Sequence, residues 1–326
     1  MATTTMTMAK ALNEGLRRAM EKNKKVLLMG EDIGKLGGVF RITDGLQKDF
    51  GEDRVIDAPL AESAIVGTAV GLAIRGYRTI VEIQFDGFVY PAFDQIVSQV
   101  AKLHKRSDGV YNMGLVIRLP FQGGIGAIEH HSESPEAYFA QTAGLRVVSC
   151  STANDAYWMI QQSIEHDDPI IFCEPMSRYW EKGEVDLENP PHGLFDAVVR
   201  REGSDVTIVG YGASLKTILR AADTAQTEGI SVEVIDARSL APLDLDTMIA
   251  SINKTGRLIA VQESPHTASV GSEIVAELSE RCFYSLRAPG VRVSGYHVPY
   301  PPTRLEDDYR PTVDRILDAV DRVMGF

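Results

Sequence analysis

The chain has 326 residues, 44% of them hydrophobic and 24% charged, with a formal net charge of −12. That is the composition of a globular chain of about two domains, and an acidic balance without any lysine or arginine block beyond pairs such as Lys24-Lys25 argues against a nucleic-acid partner. No apolar run reaches the ~20 residues of a membrane-spanning helix; the run from Ser63 to Ile74, for instance, is closed by Arg75 and Gly76.

The start, Met1-Ala-Thr-Thr-Thr-Met-Thr-Met-Ala-Lys10, carries neither an apolar signal core nor an Arg-rich transit pattern. The expected location is therefore the cytoplasm, or the mitochondrial matrix if a presequence has been removed. Apolar periodicity at Met8, Ala11, Leu12, Leu16, Ala19 and Met20 predicts an opening helix, and Val26–Gly30 a short strand. Strands are expected near 55–58, 79–85, 114–119, 146–149 and 170–174, with helices near 62–75, 91–105, 135–142 and 154–165.

The segment 181–192 is polar and proline-bearing, and a second alternating series begins at Asp205-Val-Thr-Ile-Val209. There the strands are expected near 206–209, 231–236, 257–262 and 291–294, and the helices near 214–228, 245–253, 271–282 and 311–324. Alternation of this kind implies an α/β protein with two doubly wound, mainly parallel sheets. The expected division is 1–185, a linker at 186–200, and 201–326. Cys150, Cys173 and Cys282 lie far apart with no Cys-x-x-Cys spacing, so they read as buried thiols, not as a disulfide framework or zinc site.

Four segments could carry chemistry. Glu62 opens a helix that is apolar on every face, and such a helix is expected to be buried. A carboxyl in its buried first turn would have its pKa raised and could serve as an acid, although Glu at that position also simply complements the helix dipole. A turn Val209-Gly-Tyr-Gly-Ala-Ser214 with Asp236 ending the next strand suggests a nicotinamide or flavin site on Gly210 and Gly212, but Leu215 stands where the third glycine belongs. The loop Leu119–Glu136 follows a strand end, where open α/β sheets place ligands; its glycines give it freedom, and it holds His130 and His131. The strand ending in Gln84 leads into clustered aromatics, which either fill the core or form a flat face for a heteroaromatic ring.

Read in order, Glu31-Asp-Ile33, Gly37-Gly-Val-Phe-Arg41, Ala58-Pro-Leu-Ala-Glu-Ser63, Glu82-Ile-Gln-Phe85, Tyr90-Pro-Ala-Phe-Asp-Gln-Ile96, His131-Ser-Glu-Ser-Pro-Glu-Ala-Tyr-Phe139, Lys254-Thr-Gly-Arg257 and Val323-Met-Gly-Phe326 strongly resemble the beta subunits of thiamine-diphosphate-dependent 2-oxo-acid dehydrogenases. The resemblance covers nearly the whole chain and implies a transketolase-like architecture. It implies that this subunit binds the aminopyrimidine half of thiamine diphosphate, while an alpha subunit holds the diphosphate and magnesium in an alpha2-beta2 heterotetramer. In keeping with that, the Asp-Gly pairs here follow Thr43, Phe85 and Ser107, so the Gly-Asp-Gly of a diphosphate site is absent.

By the same resemblance, Glu62 matches the carboxylate on the pyrimidine ring nitrogen, Phe88 the aromatic packed on that ring, and Gln84 its polar neighbour. His131 matches the histidine that assists acyl transfer to the lipoyl group, with His130 an unneeded neighbour. A monovalent cation site falls on Ser163, His166 and Asp168, with His166 standing where a family acid would be. The C-terminal domain resembles the module that docks the lipoyl acyltransferase core, and an acidic surface suits a basic docking domain. Tyr90–Ile96 and Ser132–Phe139 look more like branched-chain beta subunits, with pyruvate and acetoin dehydrogenase subunits as the alternatives. A non-catalytic scaffold subunit is a further rival, opposed by the presence of all four site residues.

Overall fold

The computed structural model describes residues 3–326, so the first two residues of the expected N-terminal domain lie outside the described residues. The first half runs β1 (Thr3–Thr7), α1 (Met8–Lys22), β2 (Val26–Gly30), α2 (Leu46–Phe50), β3 (Val55–Asp57), α3 (Glu62–Ile74), β4 (Arg78–Glu82), α4 (Leu103–Arg106), β5 (Leu115–Phe121), α5 (Glu136–Ala140), β6 (Arg146–Ser149), α6 (Ala153–Glu165), β7 (Ile170–Pro175) and β8 (Lys182–Asp186). The second half runs β9 (Val198–Arg201), β10 (Val206–Gly210), α7 (Ser214–Thr227), β11 (Val232–Asp236), β12 (Ser239–Ala241), α8 (Leu245–Thr255), β13 (Leu258–Pro265), α9 (Val270–Arg281), β14 (Val291–Gly295), α10 (Glu306–Tyr309) and α11 (Val313–Met324).

Strands buried on both faces read as continuous apolar runs, and β2, β5, β7 and β10 are buried at every position. They build a seven-stranded sheet ordered β12-β6-β7-β5-β4-β2-β3 and a five-stranded sheet ordered β14-β13-β10-β11-β9. Pairing in both is parallel except at β12 and β9. Side-chain caps start several of the helices: Thr7 accepts from Lys10 N, Thr152 from Asp155 N, Asp244 from Thr247 N and Thr312 from Arg315 N.

Several expectations change in three dimensions. The region 91–105 is not one helix; Asp86–Ala92 forms a 3-10 segment containing Pro91, Gln95–Val100 is π-helical, and α4 is the α-helix that follows. Within the polar stretch 181–192, β8 pairs antiparallel with β1, an N-terminal strand that periodicity does not reveal. Helix α3 buries one face only, through Ile65, Val66, Ala69 and Ala73. Glu62 is half-buried rather than buried, because within this chain nothing covers the opposite face of α3.

The halves are joined by more than the chain. Strand β12, from the second half, completes the edge of the first sheet by pairing with β6. Beside it lies a buried ion network. Asp155 receives Arg238 Nε at 3.0 Å and pairs with Arg200, which reaches Asp236 at 2.8 Å. Ser151 Oγ also donates to Asp236 at 2.8 Å.

Candidate functional site

The site lies at the carboxyl edge of the first sheet. Gly30, Asp57 and Glu82, the last residues of β2, β3 and β4, stand in register, so Glu31, Glu62 and Gln84 all emerge from one edge, where open α/β sheets bind ligands. The loop after β5 brings His131 to the same place.

Phe85 and Phe88 bracket the His131 ring. Phe85 stacks on it with centroids 4.0 Å apart and Phe88 meets it edge-on at 5.3 Å. Phe40 extends this aromatic row from Phe85 at 5.4 Å to Tyr179 at 4.9 Å. His131 Nδ1 lies 2.7 Å from the His130 carbonyl oxygen. A carbonyl only accepts, so Nδ1 donates here, which leaves Nε2 for a further partner. His130 is exposed and lies 3.2 Å from Glu129, outside the cluster. Helix α3, which Glu62 opens, packs against the Asp86–Ala92 segment. The pKa of Glu31 is raised, first by burial and then by the carboxylates of Asp32 and Glu62, so acids converge at this rim. Gln84 is half-buried in the turn leaving β4.

Two residues not singled out from the sequence hold the aromatic segment to the His131 loop. Gly87 lies so close to His130 that a Cβ there would sit 2.6 Å from its carbonyl oxygen. Asp86 is buried and accepts from Glu133 N at 2.9 Å, while its Oδ1 has no protein partner. Burial pushes the Asp86 carboxyl up to about 8, against the pull of the Glu133 amide. The sequence signal was a lone Asp between Phe85 and Phe88, in an apolar setting.

A testable pH dependence follows. Between the ordinary carboxyl value of ~4 and about 8, folded Asp86 keeps a proton that the unfolded chain has lost, so stability falls as pH rises through that window and levels above it. The Asp86→Asn variant lacks this term. Its stability relative to the parent should therefore grow between pH 6 and pH 9 in denaturant titrations, and a constant difference would refute the assignment.

Beneath the site, Arg118 on β5 grips Glu174 through Nε at 2.7 Å and Nη2 at 2.9 Å and pairs also with Glu82. Tyr179 donates its hydroxyl to Glu174 at 2.7 Å. Burial raises the Glu82 carboxyl even against Arg118.

The dinucleotide alternative does not survive. Asp236 is fully buried and committed to Arg200 and Ser151, leaving no acid for a ribose. At the start of α7, Gly212 N donates to Ser151 Oγ at 2.9 Å and Ala213 N to Gln122 Oε1 at 2.8 Å, so those amides are already satisfied. Around the expected monovalent-cation site, the Arg78 guanidinium holds the His166 carbonyl and Asp167 and Arg146 holds Asp168 at 2.9 Å, while the buried Ser163 Oγ has no protein partner. The three cysteines are buried free thiols, as expected.

Comparison with known proteins adds the following. Residues 4–180 match the transketolase pyrimidine-binding domain and 196–316 the transketolase C-terminal domain. The pyruvate dehydrogenase E1 component subunit beta of Leifsonia xyli is 57% identical, over 98% of this chain and 95% of its own. The 3-methyl-2-oxobutanoate dehydrogenase subunit beta of Mycobacterium tuberculosis is 50% identical, over 99% and 93%. A split-gene transketolase, an inactive beta4 tetramer, shares the fold with a TM-score of 0.81 at 21% identity, covering 98% of each chain. Pyruvate-named and branched-chain-named relatives thus both match strongly, so identity alone does not establish the branched-chain preference. With both domains and relatives of this identity along nearly its whole length, the chain belongs to the beta subunits of the E1 components of 2-oxo-acid dehydrogenases.

Proposed function

We propose that this chain binds the aminopyrimidine half of thiamine diphosphate and, with an alpha subunit in an alpha2-beta2 heterotetramer, decarboxylates a 2-oxo acid and reductively acylates a lipoyl domain. The observation that carries the reading is the half-open aromatic row Phe85, Phe88 and His131 beside converging carboxyls at one sheet edge. This donor set fits a flat, basic heteroaromatic ring: Phe88 bounds a face, Glu62 presents a carboxyl toward a ring nitrogen, and Gln84 offers an amide. When bound, the cofactor supplies a nucleophilic thiazolium carbon and a sink for the electrons left by carbon dioxide. His131, whose Nδ1 is occupied by the His130 carbonyl so that Nε2 remains for the reaction, takes and returns a proton where the lipoyl dithiolane opens.

Diphosphate and magnesium fall to the alpha subunit, because the Gly-Asp-Gly element is missing here. The uncovered face of α3 supports a partner at this rim: Leu60, just before the helix and beside the site, is 69% exposed. The C-terminal domain is assigned to docking of the acyltransferase core, on its resemblance to the family's docking module and on the acidic charge of the chain.

For the substrate we favour a branched-chain 2-oxo acid, on Tyr90–Ile96 and Ser132–Phe139; pyruvate is the second reading, supported by the higher identity to the Leifsonia relative. Each well-packed alkyl group adds ~1–3 kcal/mol of discrimination. In enzyme reconstituted with its alpha subunit, kcat/KM with a dye acceptor should favour 3-methyl-2-oxobutanoate over pyruvate by ~10-fold or more. A ratio below one would assign the chain to pyruvate. In the same preparation, His131→Ala should impair transfer to a lipoyl domain more than dye-coupled decarboxylation, and equal loss would remove its acyl-transfer role.

A further inference from the structure

Glycines 123, 124 and 126 suggest a free loop, yet the second half of the chain ties every one of them. Gly123 N donates to Glu263 Oε2 at 3.0 Å. Gly124 N and Gly126 N donate to the two oxygens of Glu306, at 2.6 and 3.2 Å, and Thr303 Oγ1 donates to the Gly126 carbonyl at 2.9 Å. Glu306 is 6% exposed and also accepts from Tyr300 OH at 2.8 Å. Three donors on one buried carboxylate make a strong, directional clamp. The glycines are what let it close: Gly124 and Gly126 have φ of +91° and +71°, and a Cβ on Gly123 would overlap the Tyr300 hydroxyl.

The loop so held is the one that carries His131. Its base is closed by Gln122 N donating to the Glu133 carbonyl at 3.0 Å, and its far arm lays the imidazole on Phe85. We propose that Glu306, in the C-terminal domain, is a positioning residue for acyl transfer: it fixes the glycine loop and through it the place of the His131 ring. This rests on the role given to His131 above. The C-terminal domain then contributes to the reaction geometry and not to assembly alone.

The experiment uses the reconstituted alpha2-beta2 enzyme carrying Glu306→Ala, Glu306→Gln or the surface change Thr303→Ala, which spares the buried carboxylate. Hydrogen exchange of the 122–133 peptide should accelerate most for Glu306→Ala and less for the other two. Transfer to a lipoyl domain should fall ~10-fold in Glu306→Ala while dye-coupled decarboxylation stays within ~2-fold, the scale expected of lost orientation, and Glu306→Gln should restore part of it. Adding Glu306→Ala to His131→Ala should cost nothing further in transfer, because the two act as one unit. Unchanged loop exchange, equal loss in both assays, or additive losses would each overturn the proposal. An unselective His131→Ala would instead overturn the role of His131, a separate result from intact exchange in the Glu306 variants.

Discussion

Substituting Glu62 by Gln in the reconstituted enzyme is expected to cost ~10²–10⁴ in turnover, the range of a lost general acid. The magnitude separates the two readings of this residue. Glu62 is the first residue of α3, whose N-cap Ala61 makes no side-chain bond. If the carboxylate only complemented the helix dipole, its loss would cost ~0.3–1 kcal/mol of stability and leave turnover alone. Glutamine preserves shape and hydrogen-bonding reach but cannot hold an exchangeable acid proton. Steady-state kinetics with dye and with lipoyl domain should fall together, since Glu62 serves the cofactor before the assays diverge. A variant melting lower but turning over normally would reduce Glu62 to a cap.

Replacing Arg118 by Met is expected to be the most damaging single change to stability, at ~3–5 kcal/mol. That is a large part of the ~5–15 kcal/mol by which a domain stays folded. The guanidinium is 1% exposed and is shared by Glu82 and Glu174, 7% and 0% exposed, so its removal strands two buried carboxylates. Both can escape by taking protons, so the deficit should shrink at lower pH, and adding Glu82→Gln and Glu174→Gln should recover part of it. Thermal or denaturant unfolding decides the matter. A loss under ~1 kcal/mol would mean that the cluster is solvated or rearranges freely. Because Tyr179 joins Glu174 to Phe40 and so to Phe85, local loosening should also broaden the His131 environment.

By itself the sequence determined the alternating strand and helix order, and with it the two mainly parallel sheets. Burial of a parallel strand on both faces favours an unbroken apolar run, which Val26–Gly30 displays locally and Val206–Gly210 interrupts only at Thr207. It also determined the candidates Glu62, Gln84, Phe88 and His131, since ordered short segments around each carry their own chemistry. What it did not display were the short strands β1 and β8, whose partners stand about 180 positions apart, or the break of 91–105 into three segments. Nor did it reveal that an all-apolar α3 would leave a face open and Glu62 half-buried, for periodicity cannot say which surface another chain will cover. Only the tertiary structure decided that Asp236 is spent on Arg200, that Asp86 and Gly87 seat the His131 loop, and that Glu306 grips Gly124 from 182 residues away. The reason is physical: propensity and pattern act over one or two turns of chain, whereas the burial of a carboxylate and the donors that satisfy it are set by segments brought together only on folding.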